Sequence, residues 1–240
     1  MPTISTEITT RSKRGRSTVR SAALAGIIGP LLFTTVFLAQ QAFRRAQYDP
    51  IAEPVSALEV GTYGWVQQIN FVVFAALLLF FATGLHRGID RTRFGILGPA
   101  FLGLASIGLV FSAAFPLRED AAGATYDPGG HFVAGVTFFL STALSLLALS
   151  GRLAKDPHFR VLATYTAVCG VVAVFGFVVL GRFAIPDDAP LHDWAGLLQR
   201  IVLVGVIFPC LVALGIRLLS KARDGYRRPG PVQSKHAVSA

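Results

Sequence analysis

The sequence predicts an all-α, polytopic membrane protein, a helical bundle of six transmembrane helices. This prediction depends on the length of the apolar runs, the near absence of charge inside them, and the placement of basic residues between them. Of the 240 residues, 53% are hydrophobic and 15% are charged, whereas an average soluble domain has about 25% charged residues. A helix needs about 20 apolar residues to cross a hydrocarbon core of about 30 Å. The length of the apolar runs, more than the composition, therefore indicates whether the chain is a membrane protein or a soluble one.

Six apolar runs reach the required length, and the middle of each is nearly free of charge. They lie at Ser21–Phe43, Gly64–His86, Phe94–Phe115, Gly130–Ser150, Arg160–Leu180 and Trp194–Leu219. A helix of a soluble bundle keeps a polar stripe, but these runs are apolar all round. The first run follows a basic segment, as in a signal peptide, yet it exceeds the apolar core of about 7–15 residues that such a peptide has. We therefore expect a retained helix.

Basic residues are concentrated in alternate connecting segments. The segments before the first run, between the second and third, between the fourth and fifth, and after the sixth contain most of the arginines and lysines. By the positive-inside rule these segments, and both termini, lie in the cytoplasm. The net charge of +9 is explained by this topology, so no nucleic-acid partner is expected. The excess of Arg over Lys indicates a GC-rich genome, and we expect the plasma (inner) membrane of a bacterium.

The ends of the chain differ from the runs in composition. Residues 1–18 and 221–240 are polar and basic and lack apolar periodicity, which predicts two disordered cytoplasmic tails. Residues 19–220 then form the six-helix transmembrane domain.

Short motifs recur at equivalent places along the predicted helices. A Gly-Ile-x-Gly-Pro motif occurs in the first and third runs, at 26–30 and 95–99. A Tyr-Asp-Pro motif occurs in the loops that follow, at 48–50 and 126–128. Self-similarity of this kind is the signature of a duplicated unit, and it indicates three repeated helical hairpins.

Arg200 places a charge inside the sixth run. It follows Asp193 by two helical turns, which puts it about 10 Å deeper at 1.5 Å per residue. An ionisable residue at that depth is by default a functional-site hypothesis. One interpretation is a static ion pair that pins loop one, residues 44–63, to the sixth run. The other is an anchor for a lipid phosphate or another small anionic ligand. The expected counter-ions of the ion pair are Asp49, Glu53, Glu59 and Asp120.

Two histidines open the fourth and sixth runs on the expected outer face. His131 and His192 are interfacial residues at helix starts in one interpretation. In the other they form a metal or proton site with Asp120, Asp127 or Asp188. The spacing matches no metal-binding motif, so we expect no metal and no cofactor. The candidate catalytic residues of an enzyme at this face are Asp120, His131 and His192.

Loop one is the longest outer loop, and its composition predicts local structure. Prolines stiffen it, and Ser56 is placed to cap a short helix. Trp65 begins the second run at headgroup depth, as residues of aromatic belts do. Asn70 lies further inside, where an amide usually bonds to a neighbouring helix.

Several stretches carry a family resemblance. They are Tyr48-Asp49-Pro50, Pro54–Leu58, Tyr63–Gln67 with Asn70-Phe71, Phe115-Pro116 with Asp120 and His131, and Gly196–Ile201. In these residues the chain resembles the DUF998 family, integral membrane proteins of bacteria and archaea that look distantly similar to the Frag1/DRAM/Sfk1 group. The resemblance covers nearly all of residues 20–220 and implies six helices with a shared outer-face cluster. It implies no reaction. Ala57 stands where family members often have an acidic residue, and Glu59 lies nearby.

The predicted site is a polar cluster on the outer face of the bundle. Its members are Tyr48, Asp49, Glu53, Ser56, Glu59, Trp65, Asn70, Asp120, His131, His192, Gln199 and Arg200. We expect a non-enzymatic scaffold, sensor, or binder of lipid or a small ligand, surrounded by the lipid bilayer. The alternatives are a membrane-embedded enzyme, for example a hydrolase, and a small transporter. The sequence contains no G-x-S-x-G, H-E-x-x-H or P-loop motif, and it leaves the oligomeric state unpredicted.

Overall fold

A computed structural model describes residues 4–121, 123, 125–186 and 188–227. Its α-helices are α1 (Ile4–Phe43), α2 (Gly64–Gly88), α3 (Leu97–Ala114), α4 (His131–Leu153), α5 (Arg160–Val179), α6 (Ala195–Arg200) and α7 (Phe208–Arg227). Short 3₁₀ helices lie at Val55–Glu59 and His192–Trp194, and π-helical segments at Leu180–Ala184 and Ile201–Ile207. A small antiparallel hairpin pairs β1 (Arg118–Glu119) with β2 (Thr125–Tyr126).

Six helical segments are long and apolar enough to cross a membrane, which confirms the predicted all-α, six-span bundle. Spans one to six are Ser17–Phe43, Gly64–Gly88, Leu97–Ala114, His131–Leu153, Arg160–Ala184 and His192–Asp224. Between 33% and 50% of each span is buried inside the bundle. The remaining apolar surface faces outward, as in a protein surrounded by lipid.

The spans form a closed ring in chain order. Each span packs on the next, and span six packs on span one. Glycines allow this close approach, because a Cβ built on Gly26, Gly98 or Gly176 would lie 2.4, 2.5 or 2.4 Å from a side chain of the following span. These glycines lie in spans one, three and five, where the first helix of each expected hairpin meets the second. The duplication itself stays a prediction.

Four phenylalanines from different spans fill the interior of the ring. The ring of Phe74 lies 5.1 Å from that of Phe33, 5.3 Å from that of Phe208 and 6.4 Å from that of Phe138, between centroids. Most of these pairs have tilted or edge-to-face geometries, which aromatic quadrupoles favour. This phenylalanine cluster is part of the apolar core of the bundle.

The two ends of the bundle carry different segments. Loop one, the β1–β2 hairpin and the 3₁₀ helix His192–Trp194 lie at one end, called here the loop-one end. The opposite end, called the terminal end, carries the start of span one, the end of span six and residues 89–96 and 154–159.

The helices extend into both segments for which we expected disorder. α1 begins at Ile4 and α7 ends at Arg227, so residues 4–18 and 221–227 are helical. Each segment continues a transmembrane helix without an intervening proline, and Arg and Lys are good helix formers. Residues 1–3 and 228–240 lie outside the described residues, and their disorder stays a prediction.

Candidate functional site

Loop one is seated on the first turn of α6 through backbone hydrogen bonds. The N–H of Gly196 donates to the carbonyl of Ala52 at 3.1 Å, and that of Leu197 to the carbonyl of Ile51 at 2.9 Å. The first amides of a helix have no partner within the helix, so loop one supplies their acceptors. A Cβ on Gly196 would lie 2.2 Å from the Glu53 carbonyl oxygen, and only glycine therefore permits this approach.

The guanidinium group of Arg200, in span six, holds loop one in place. Its Nη1 donates to the carbonyls of Glu53 at 3.0 Å and Gly196 at 2.8 Å. Its Nη2 donates to the Tyr48 hydroxyl and, at 3.4 Å, to the Gln41 side-chain oxygen. Among the described residues no carboxylate lies within ion-pair distance of this guanidinium. The expected ion pair is replaced by uncharged acceptors, because loop one turns its peptide groups toward span six.

Further bonds fix the shape of loop one. The buried Tyr48 hydroxyl lies 3.0 Å from the carbonyls of both Glu53 and Pro54. The N–H of Val55 donates to the Gln199 side-chain oxygen at 2.7 Å. Burial raises the pKa of Tyr48 above its ordinary value, so the phenol keeps its proton as a donor. Gln199 and Arg200 together tie loop one to span six.

The short helix expected in loop one is present, and it ends in a buried acid. Ser56 lies inside the helix Val55–Glu59 and does not cap it. The side chain of Glu59 is 0% exposed, and its Oε2 lies 3.2 Å from Nδ1 of His131, the first residue of α4. The same Nδ1 lies 3.0 Å from the carbonyl oxygen of Phe115. Burial raises the pKa of Glu59 to about 8, so this carboxyl holds a proton at neutral pH.

Two other charged groups lie near the Glu59–His131 pair. Asp127 accepts from the N–H groups of His131 at 3.2 Å and Phe132 at 2.7 Å. Burial alone would raise the pKa of Asp127, but these backbone hydrogen bonds hold it below its ordinary value. On the other side, Nη1 of Arg44 donates to the carbonyl of Leu58 at 3.1 Å.

Buried amides surround the pair on α1 and α2. Gln40 donates to the carbonyl of Leu58 at 3.1 Å, and Asn70 bonds across to the carbonyl of Phe33 at 3.1 Å. Asn70 also donates to Gln67 at 3.3 Å. In the described part of the chain, Oε1 of Gln40 and Nε2 of Gln67 are buried without a hydrogen-bond partner, whereas the Glu59 carboxyl contacts His131 and the backbone N–H of Leu117. Such orphaned polar groups are rare and call for a functional explanation.

The remaining predicted residues occupy separate places. Nδ1 of His192 lies 3.1 Å from the carbonyl of Pro186, so the two histidines have different partners. Trp65 is 57% exposed at the start of α2, and the Asp49 carboxylate accepts from a backbone N–H of loop one. Among the described residues, no group of three His, Cys, Asp or Glu side chains is placed to hold a metal. Asp120 lies just after β1.

The sequence patterns did not reveal the role of Arg152, which is 4% exposed at the terminal end. Its Nε donates to the carbonyl of Asp90 at 3.0 Å and its Nη1 to that of Gly95 at 2.7 Å. Its Nη2 donates to the carbonyls of His86 and Ile89. Arg152 thus holds the loop between spans two and three by donating hydrogen bonds to backbone carbonyls, as Arg200 does for loop one.

An ion-pair cluster ties the same loop to α7. Nζ of Lys221 lies 2.7 Å from the Asp156 carboxylate and 3.0 Å from the Asp90 carboxylate. Asp156 also accepts from the N–H of Asp90 at 3.0 Å. Burial alone would raise the pKa of Asp156, but the bond from Lys221 and the backbone bonds hold it below its ordinary value.

Comparison with known proteins gives one match. A family model described as "Protein of unknown function (DUF998)" matches residues 27–217, which include part or all of every span. No curated protein and no solved structure matches the chain. The similarity to the Frag1/DRAM/Sfk1 group stays a prediction.

Proposed function

The chain belongs to the DUF998 family of proteins of unknown function, and from that premise we propose that it is a non-enzymatic proton sensor. In this proposal the Glu59–His131 pair senses pH at the outer face of a bacterial plasma membrane, and loop one changes its seating on span six in response. The observation that carries the proposal is a fully buried carboxyl group whose Oε2 lies 3.2 Å from an imidazole and which also accepts a backbone hydrogen bond from Leu117.

The charge of Glu59 determines how well loop one fits the bundle. While the carboxyl is protonated, the buried group is neutral. Loss of the proton places a negative charge where desolvation disfavours it strongly. The response is relief of that burial by movement of the helix Val55–Glu59. The pKa of about 8 places this transition close to physiological pH.

Loop one provides a route from the pair to a transmembrane helix. Residues 51–53 lie just before the helix that contains Glu59, and their carbonyls bond to α6 and Arg200. Arg200 is followed by the π-helical segment Ile201–Ile207, and π-helical turns frequently occur at functional positions. Movement of loop one would therefore reach span six directly.

Two features favour a sensor over an enzyme or a transporter. His131 and His192 have different partners, which removes the support for a paired catalytic or metal site. Phenylalanines from several spans fill the interior of the bundle, where a transporter requires a polar route.

An anionic ligand on Arg200 is the weaker candidate. Both terminal nitrogens of its guanidinium already donate to protein oxygens, and within the described residues only Nε lacks a partner. A bound phosphate would have to displace loop one. We therefore favour the interpretation in which Arg200 holds loop one against span six.

The orientation in the membrane is part of the proposal. Arg87, Lys155 and Arg223 lie toward the terminal end, and the positive-inside rule places that end in the cytoplasm. Both termini are then cytoplasmic, and Glu59 and His131 face the side of the membrane where pH varies with the surroundings.

Intrinsic fluorescence tests the proposal, because the chain has two tryptophans and both lie at the loop-one end. Trp65 begins α2 and Trp194 immediately precedes α6. In lipid nanodiscs we expect their emission to change with a midpoint near pH 8. Glu59→Gln mimics the protonated acid and should abolish the change, whereas Glu119→Gln, at an exposed carboxyl of the same end, should not. A transition that persists unchanged in Glu59→Gln would refute the proposal.

A further inference from the structure

A cleft opens at the terminal end, where the chain passes from α2 to α3. It has a volume of about 290 Å³. The residues that line it are His86, Arg91, Thr92, Arg93, Gly95, Ile96 and Arg152. Gly95 keeps its floor open, because a Cβ there would lie 2.9 Å from the Thr92 hydroxyl and 3.1 Å from Nε of Arg152.

The cleft is positively charged, and two of its cations have free donors. Arg91 and Arg93 are exposed, and within the described residues neither has a hydrogen bond or an ion pair. Arg93 makes one ring contact, with its guanidinium 5.5 Å from the centroid of Phe94. Planar guanidinium groups bind phosphate oxygens in pairs, so these two side chains are available to an anion.

The nearby acids are already paired with other residues. Asp90 and Asp156 are the carboxylates on the Arg152 side of the cleft, and both bind Lys221. Arg152 donates to backbone carbonyls, and its charge and that of Lys221 together balance the two carboxylates. The excess positive charge of the cleft is therefore that of Arg91 and Arg93.

Exposed apolar side chains adjoin the cleft. Phe94 is 67% exposed and Ile96 is 59% exposed, and span three begins at Leu97. The cleft therefore lies where the headgroup region meets the hydrocarbon, with apolar surface on the membrane side. Basic pockets at this depth are suited to lipid headgroups.

From this geometry we infer that the cleft binds the phosphate group of an anionic phospholipid. Arg91 and Arg93 contact the phosphate oxygens, and the acyl chains lie along Phe94 and Ile96. This inference concerns the end opposite the Glu59–His131 pair and is independent of the proposed sensing function.

Native mass spectrometry of the full chain in mild detergent tests the inference. The ligands are phosphatidylglycerol, zwitterionic phosphatidylcholine and inorganic phosphate. The cleft variant is Arg91→Gln with Arg93→Gln. The matched control is Lys155→Gln with Arg160→Gln, which removes the same charge from exposed residues at the same end.

We expect the wild type to retain phosphatidylglycerol in preference to phosphatidylcholine. The cleft variant should bind phosphatidylglycerol about tenfold more weakly, since each basic residue near the headgroups contributes severalfold, and the control should change less than about threefold. Equal loss in the control, or equal retention of both lipids by the wild type, would overturn the inference. Displacement of phosphatidylglycerol by an equal concentration of inorganic phosphate would overturn the assignment to lipid.

Arg91 and Arg93 are exposed and, within the described residues, without hydrogen bonds, so the melting temperature of the cleft variant should equal that of the wild type. If the double variant does not fold, each single variant should show about a threefold loss.

Discussion

The carboxyl group of Glu59 lies 3.2 Å from Nδ1 of His131, inside the bundle and away from solvent. This contact joins loop one to the start of α4, two segments that are far apart in the sequence. An acid and an imidazole in this position share few other partners, so the protonation of either group depends on the other. In the proposed function, this contact makes the seating of loop one sensitive to pH.

The stability of the protein should fall as pH rises from about 4.5 to about 8. Burial raises the folded-state pKa of Glu59 from 4.5 to about 8, so within this window the folded state holds a proton that the unfolded state has lost. Because the pKa values of Asp127 and Asp156 are lowered, the titration of these groups changes the stability of the protein only in more acidic solution. Melting temperatures measured across this range should decline for the wild type and decline less for Glu59→Gln, in which burial still raises the pKa of Glu53. Equal declines in both proteins would contradict the assignment.

Removal of the Arg200 guanidinium should release loop one. Arg200→Ala removes the guanidinium donors from the carbonyls of Glu53 and Gly196, which should cost about 2–4 kcal/mol of stability. Limited proteolysis within residues 44–63 measures the release. Arg200→Lys keeps the charge but has fewer donors, and its effect should be intermediate. Unchanged protease resistance in Arg200→Ala would show that Arg200 does not hold loop one.

A methyl group on Gly196 should also displace loop one. The added Cβ would lie 2.2 Å from the Glu53 carbonyl oxygen. Gly205→Ala is the matched control in the same span, because no atom lies within 4 Å of its added Cβ. We expect Gly196→Ala to lower the melting temperature and Gly205→Ala to leave it equal or slightly raised, since alanine favours helix. Equal effects of the two variants would contradict the close packing of loop one on α6.

The proposed orientation can be measured by cysteine labelling. The native Cys169 and Cys210 are buried, so the wild type should react little with a membrane-impermeant maleimide. On intact cells, Ala46→Cys should be labelled, because residue 46 is an exposed position of loop one. Lys155→Cys should be labelled only after the membrane is permeabilised. The reverse pattern would place the Glu59–His131 pair in the cytoplasm and would remove the proposed exposure to external pH.

The sequence alone predicted the six spans, because run length is a local property that needs no tertiary information. Glu59 and His131 were both expected at the outer face, yet their contact depends on how loop one folds over the bundle. The ion pair expected for Arg200 was wrong because its acceptors are uncharged, and two of them are backbone carbonyls, which any residue type provides. The buried Arg152 was missed for the same reason.

Infrared difference spectroscopy tests the central claim most directly, because it detects the proton on Glu59. A protonated carboxyl group has a carbonyl stretching band that disappears on ionisation. Spectra would be recorded about two pH units below and above the pKa of about 8, so that either state is about 99% populated. The proposal predicts a carboxyl band that is lost with a midpoint near pH 8 in the wild type and is absent from the Glu59→Gln difference spectrum. A wild-type carboxyl group already ionised at neutral pH, or a band that persists in Glu59→Gln, would contradict it.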